Sequence, residues 1–146
     1  MDYFSSFDIS ASGMAVEKMR LDIMALNLAN ANSTRSLDGG GVYQPLSVIS
    51  AARQSSFEGE MAKNGFPQLL GAEIVDIRPV NTEPKLVFDP NHPDANDKGY
   101  VSYPNINPVS EMVTLIEATR AYEANVKAMN AAKSMALRAL EIGRSR

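Results

Sequence analysis

The sequence from residue 107 to residue 143 reads NPVSEMVTLIEATRAYEANVKAMNAAKSMALRALEIG. Asn107 can cap a helix that begins with Pro108, because its side chain accepts a hydrogen bond from the first turn, where proline's missing N–H is not needed. Gly143 is the residue type that most often ends a helix. The spacing between them predicts a helix from residue 108 to residue 142, roughly 50 Å long, that packs along its length against another helix. Its seam, with positions alternately three and four apart, consists of Met112, Leu115, Thr119, Tyr122, Val126, Met129, Lys133, Ala136 and Leu140.

The N-terminal end of the chain has the same pattern. No proline interrupts residues 1–44, and residues 23–34 carry no charged side chain. A second apolar line, at positions 7, 14, 21 and 28, follows another face of the same predicted helix. A helix with two apolar faces needs more than one neighbour. The N-terminal seam, again with the spacing of a coiled coil, consists of Ile9, Ser12, Val16, Met19, Ile23, Leu26 and Asn30.

Residues 35–106 differ from both ends. All eight prolines of the chain lie at or after Pro45, and Gly39, Gly40 and Gly41 predict a flexible joint. Short runs of strand-forming residues at 42–50, 72–78 and 85–88 predict a small β-rich insert or extended arm with a thin core of its own. We therefore expect a mainly α-helical protein in which two long terminal helices pair as a coiled coil. The predicted segments are an N-terminal helix at 1–34, the insert at 35–106 and a C-terminal helix at 107–146.

Composition excludes several classes of function. The 146-residue chain has a net charge of −3 and a pI near 5.1, and nucleic-acid binding requires a basic surface instead. No stretch has the ~18 to 20 consecutive apolar residues of a membrane span, so we expect no membrane insertion. The first eight residues lack the basic and apolar regions of a cleaved signal peptide, so we expect a cytosolic protein or one exported without cleavage. The absence of cysteine excludes disulfides and thiolate chemistry.

Residues 89–97, DPNHPDAND, combine the single histidine of the chain, His92, with several carboxylates. Such a group could bind a metal or transfer protons, but a second His or Cys ligand and the alternating ligands of a calcium loop are missing. Asp, Asn and Pro also form turns, which is the interpretation that we favour. His92-Pro93-Asp94 also occurs in co-chaperone J domains, although there it lies between two helices. The sequence has no nucleophile elbow and no phosphate-binding glycine loop, so we expect no enzyme, cofactor or metal site.

Three sets of motifs carry a family resemblance. FDISASGM at residues 7–14 and LANANSTR at 28–35 resemble the N-terminal signature of flagellar rod and hook proteins. DPNHPDAN at 89–96, GYV at 99–101 and YPN at 103–105 are similar to the proximal rod subfamily in particular. EMV at 111–113, RAYEAN at 120–125 and SMAL at 134–137 resemble the same subfamily. The motifs occur in the family's order along essentially the whole chain.

The resemblance implies an axial protein of the flagellar basal body, in which the terminal helices form a coiled-coil layer and the insert contacts neighbouring subunits. Its expected partners are copies of itself, other rod subunits, basal-body ring and adaptor proteins, and the flagellar type III export apparatus. A cytosolic adaptor and a co-chaperone or hydrolase that uses His92 remain the alternatives. The expected assembly interface consists of Ile9, Val16, Met19, Ile23, Leu26, Asn30, Met112, Leu115, Tyr122, Val126, Met129 and Leu140.

Overall fold

The computed structural model describes residues 3–36, 41–54 and 69–144. Two long helices, α1 (Tyr3–Ala29) and α2 (Pro108–Arg144), enclose four strands in the chain order: β1 (Leu46–Gln54), β2 (Leu69–Pro79), β3 (Lys85–Phe88) and β4 (Tyr100–Tyr103). The predicted fold class, mainly α-helical with a small β-rich insert between long terminal helices, is confirmed. Gly39 and Gly40 of the predicted joint lie outside the described residues.

The two helices pack side by side in opposite directions. Gly13 faces Asn125, and the Asn27 side chain reaches Glu111. Residue numbers therefore rise along α1 as they fall by the same amount along the facing side of α2, which is an antiparallel register. A Cβ atom at position 13 would lie 2.9 Å from Nδ2 of Asn125. Glycine at this position therefore allows the close approach of the helices. Ala118 and Ala132, both buried on α2, also keep the separation between the helices small.

The other face of α1 packs against an antiparallel hairpin formed by β1 and β2. The N–H of Ala72 donates to Oγ of Ser12 (3.0 Å), and Arg20 Nη2 donates to Oγ of Ser50 (3.0 Å). Gly71 has a φ of +102°, and any side chain there would collide with Ser12. Helix α1 thus lies between α2 and the hairpin and has two neighbours. One of those neighbours is the insert itself.

The strand boundaries differ from the predicted ones in ways that backbone chemistry explains. Strand β1 begins after Pro45, which has no N–H for a strand ladder, and it extends to Gln54. Strand β2 is longer than predicted, and β3 has the predicted bounds. Strand β4 was not predicted, although YVSY after a glycine has strand-forming composition; it pairs antiparallel with β3. Val101 on β4 is fully buried, and Pro45 and Pro104 of the insert are buried as well.

Polar residues next to the helices determine where two of the helix ends lie. Oδ1 of Asn107 accepts hydrogen bonds from the N–H groups of Val109 (3.0 Å) and Ser110 (3.4 Å), which confirms the predicted N-cap. Helix α1 ends at Ala29, before the end of the predicted segment at residue 34, and a turn rich in Asn and Ser follows it. Helix α2 continues through Gly143 to Arg144, two residues beyond its predicted end at residue 142.

The contact at Gly13 gives a prediction for stability. Gly13→Val places a branched side chain against Asn125, and overpacking of this kind costs about 1–3 kcal/mol. We expect a lower free energy of unfolding by that amount in urea denaturation followed by far-UV circular dichroism. Gly143→Ala is the matched control, since no atom lies within 4 Å of a Cβ there and alanine favours helix by about 1 kcal/mol. Equal stability of the Gly13→Val variant and the parent would contradict the close approach.

Candidate assembly surface

The residues predicted to form the assembly interface fall into three groups by their exposure. The exposed group is accessible to solvent in the single chain, whereas the buried residue already serves the fold of the single chain. Exposure of large apolar side chains at this level is typical of protein–protein interaction surfaces when they are contiguous. Val16 is buried; Met19, Ile23, Asn30, Leu115, Val126 and Met129 are partly buried; Ile9, Leu26, Met112, Tyr122 and Leu140 are exposed.

Within the chain, the line of α2 that faces α1 is offset from the predicted seam. Positions 115, 122, 129 and 136 belong to both the predicted seam and the observed line. Each of the other observed positions lies one residue before its counterpart in the predicted seam. Ala118 and Ala132 are buried where Thr119 and Lys133 were predicted, because small side chains permit the helices to approach. Met112 consequently points away from α1 and is 51% exposed. The line facing α1 runs through Glu111, Leu115, Ala118, Tyr122, Asn125, Met129, Ala132 and Ala136.

Both ends of α2 leave large apolar side chains exposed. We call residues 108–116 the starting segment and residues 136–144 the overhang. Gly13 lies opposite Asn125, so Tyr3, the first residue of α1, lies opposite position 135, and the overhang extends about 13 Å beyond α1. The exposed residues of the starting segment are Val109, Met112, Val113 and Ile116, and those at or next to the overhang are Met135, Leu137, Leu140 and Ile142.

Asn27 joins three elements at the other end of the helix pair. Its Nδ2 donates to the carbonyl of Leu46 (2.9 Å) and to Oε2 of Glu111 (3.5 Å). Its Oδ1 accepts from the N–H of Leu46 (2.9 Å) and from Oη of Tyr43 (2.9 Å). All four hydrogen-bonding positions of the amide are used, which allows the side chain to be 3% exposed. Burial, and secondarily the negative charge of Glu111, raises the pKa of the Tyr43 hydroxyl.

A groove of about 500 Å³ lies beside this cluster, between α1, β1 and the start of α2. Arg20 lines it and bonds to Glu17 (3.1 Å) and Ser50, so its guanidinium is engaged within the chain. Glu111 lines it too and receives the bond from Asn27. The charged groups of the groove therefore hold the elements together.

The segment that contains His92 is the loop between β3 and β4, as its turn-forming composition predicts. Nδ1 of His92 accepts the N–H of Asp94 (3.1 Å), and the ring packs edge-on against Tyr103. The Asp94 carboxylate accepts hydrogen bonds from Oγ1 of Thr34 (2.7 Å) and Nε of Arg35 (2.6 Å) and forms an ion pair with the same guanidinium. The hydrogen bond from Thr34, followed by the contacts with Arg35, lowers the pKa of Asp94. These groups attach the loop to the turn that follows α1.

Neither a metal cluster nor a membrane span is found in the part of the chain that the structure describes. No three His, Cys, Asp or Glu side chains among residues 3–36, 41–54 and 69–144 are grouped so that they could hold an ion. No helix in those same ranges is long and apolar enough to cross a bilayer.

Sequence reasoning missed the residues that carry the polar tertiary contacts. Asn27 lies outside both predicted lines of α1. Nothing in the sequence around it indicated that its partners lie on β1 and α2. The pairing of Arg35 with Asp94 joins positions about 60 residues apart, which no local pattern reveals. For Asn27 the available signal was its position in a helical stretch without charged residues. A stretch of that kind is often buried, and a buried amide requires hydrogen-bond partners.

Comparison with known proteins agrees with this architecture. Residues 97–142 match the family described as Flagellar basal body rod FlgEFG protein C-terminal. The paired terminal helices and this match define a flagellar basal-body rod protein.

Similarity over the full length identifies the family more closely. The flagellar basal-body rod protein FlgC of Bacillus subtilis (strain 168) is 39% identical over 99% of this chain and 100% of its own length. FlgC of Borreliella burgdorferi is 38% identical over 97% of this chain and 98% of its own length. FlgC of Escherichia coli O157:H7 is 37% identical, with coverages of 98% and 99%. The chain belongs to the FlgC family of flagellar basal-body rod proteins and is a structural subunit of the rod, which confirms the resemblance seen in the sequence.

Removal of the Asn27 amide should destabilise the fold. Asn27→Leu leaves the N–H and carbonyl of Leu46 without partners inside the protein, and each buried unsatisfied group costs about 1–3 kcal/mol. We expect a loss of about 2–4 kcal/mol in the free energy of unfolding, measured by urea denaturation. Asn130→Leu, the same change at an exposed position of α2, is the control and should alter stability by less than about 0.5 kcal/mol. Similar values for the two variants would show that Asn27 does not join the elements.

The contact of Asp94 with Thr34 and Arg35 should make stability depend on pH. The pKa of Asp94 is lower in the folded state, so its contribution is present above the unfolded value near ~3.9 and is lost as pH falls through the folded value. Asp94→Asn should lower stability at pH 7 and have little effect at pH 2, in denaturation curves at both values. Asp97→Asn, at an exposed carboxylate of the same loop, is the control. An Asp94→Asn effect of the same size at both pH values would rule out this linkage.

Proposed function

We propose that this rod subunit assembles through its terminal helices. Residues 1–34 and 107–146 form one helical layer, and residues 35–106 form an insert that contacts neighbouring subunits. The observation that carries the proposal is that several large apolar side chains, among them Ile9, Leu26 and Met112, stay exposed after α1 and α2 have paired. Five of the twelve expected interface residues belong to the exposed group. Large apolar side chains that are exposed in the single chain are typical of a surface that another protein covers in an assembly.

The proposed partners are copies of this chain and other rod subunits, with basal-body ring and adaptor proteins at the boundaries of the rod. In the assembled rod, the helical layer would transmit torque and surround the export channel. Helices suit this task because each backbone hydrogen bond lies within the element, so α2 is a stiff rod about 55 Å long. The chain would reach its place through the flagellar type III export apparatus, without cleavage.

We infer no catalysis and no cofactor. The polar groups that an enzyme would use are engaged in the fold: His92 accepts a backbone N–H, and Asp94 binds Thr34 and Arg35. The insert's role in this proposal is mechanical. Its β1–β2 hairpin packs along α1, and the β3–β4 loop is attached to the turn after α1, so a load on the insert passes into the helices.

Leu26→Asp tests the proposal at a residue that is exposed in the single chain. A carboxylate that is buried at a subunit interface without a partner costs several kcal/mol, so we expect loss of rods and of swimming. The purified variant should keep the circular dichroism and melting temperature of the parent, because Leu26 is 43% exposed. Lys18→Glu, an exposed charge reversal on the same helix, is the control and should permit swimming. Normal motility in cells with Leu26→Asp would refute assembly through this face.

A further inference from the structure

His92 positions the residue that attaches the β3–β4 loop to the turn after α1. Two hydrogen bonds join the loop to this turn, and both end on the Asp94 carboxylate: Thr34 donates to Oδ2 and Arg35 to Oδ1. We call this contact the latch. The backbone N–H of Asp94 donates to Nδ1 of His92 (3.1 Å), so the imidazole holds the same residue from the other side. The ring itself rests edge-on against Tyr103, with 6.4 Å between the ring centres.

The hydrogen bond at Nδ1 requires a neutral ring. A neutral imidazole has one nitrogen that accepts and one that donates, whereas a charged imidazolium has two donors. A proton on Nδ1 would set two N–H donors against each other at the amide of Asp94. Histidine is the side chain whose charge ordinarily changes between about pH 5 and pH 8. Mild acid can therefore remove the contact by which His92 positions Asp94.

We propose that His92 is a proton-operated switch of the latch. When the ring is neutral, Nδ1 accepts the N–H of Asp94, and the carboxylate stays with Thr34 and Arg35. When the ring takes up a proton from solvent, it releases the backbone N–H and turns its new donor toward the carboxylate, where it competes with Arg35 for Oδ1. The loop is then held less firmly to the turn after α1. This regulation of the insert goes beyond the proposed function and does not depend on it.

The Asp94 carboxylate attracts a charged His92 ring. The hydrogen bond from Thr34 is the main cause of the lowered pKa of Asp94, and a positive charge on His92 also lowers it. The ring and the carboxylate therefore lie within range of each other's charge. Asp89 is the other carboxylate at the start of the loop, and its Oδ1 already accepts the N–H of Asn91. Asp94 is thus the carboxylate toward which the charged ring turns.

Two cations on neighbouring elements face the same site. Arg35, on the turn after α1, already forms an ion pair with Asp94. Lys85 of β3 is paired across the strands with Tyr103, the phenol that the ring contacts. A protonated ring therefore adds a positive charge where Arg35 and Lys85 already supply two. Like charges that share one carboxylate repel each other, so the new contact of His92 weakens the one that Arg35 makes.

The test follows the ring of the single histidine by NMR in the full-length, tag-free chain. Carbon-13 spectra give its titration directly, because the chain has no second imidazole. Nitrogen-15 spectra of the same sample report the backbone amide of Asp94 and the Nε of Arg35. Between about pH 8 and pH 5, we expect both signals to shift with the midpoint of the ring. The protection of the Asp94 amide against hydrogen exchange should fall about fivefold, as loss of one ordinary hydrogen bond predicts.

His92→Asn is the matched variant. The Oδ1 of an asparagine can accept the N–H two residues further on, but this side chain does not take up a proton in the same range. The Asp94 and Arg35 signals of this variant should stay constant from about pH 8 to pH 5. Asp97→Asn, which removes an exposed carboxylate of the same loop, is the control and should keep the pH response of the parent.

Two results overturn the inference. One is a parent chain in which the Asp94 and Arg35 signals do not follow the titration of the ring; this result needs no variant and so does not depend on how His92→Asn folds. The other is an unchanged pH response of those signals in His92→Asn. Both leave the proposed function intact, which fails on a different result, normal motility with Leu26→Asp.

Discussion

The packing of this chain depends on a single buried amide. Asn27 binds the backbone of β1 on both its N–H and C=O sides at Leu46, and it also contacts Glu111 on α2. A buried amide with all positions satisfied fixes geometry more narrowly than apolar contact does, because each hydrogen bond has a direction as well as a distance. The helix pair and the hairpin therefore share one anchoring point. An apolar residue there would allow the three elements to slide past one another.

The small core explains why this anchor matters. Val16, Val101, Ala118 and Ala132 are the buried hydrophobic residues in the described ranges, and two of them are alanines. Little apolar area is removed from water within the single chain, so directional contacts such as those of Asn27 and Ser12 define which arrangement forms. Much of the apolar surface that would stabilise an ordinary domain lies on the outside of α2. The single chain therefore buries less apolar surface than an ordinary domain of its length.

The periodic features of the fold were predictable from the sequence. The cap at Asn107, the two helices and the bounds of β3 follow from local chemistry that acts within a few residues. The neighbours of each helical face did not follow, because heptad spacing marks a face as apolar without naming what covers it. The offset of the α2 seam depends on the small size of Ala118 and Ala132, which lets α1 pack against them. The larger Met112 lies outside this line and is exposed. Among the expected interface residues, the sequence could not separate Val16, which serves the fold, from Leu140, which extends past it.

The pairing of α1 with α2 has a consequence for the order of folding events. Gly13 and Asn125 touch although they are about 110 residues apart in sequence. Contacts at this separation carry the full entropy of closing a long loop, and they form slowly compared with local ones. While a chain emerges from its N-terminus, α1 lacks its helical partner α2 until nearly the last residue has appeared, and only the hairpin of β1 and β2 is there to cover it. Until α2 has been made, α1 has only one of its two neighbours, and a helix gains most of its stability from tertiary packing. The contact that completes the fold is also the one that is made last.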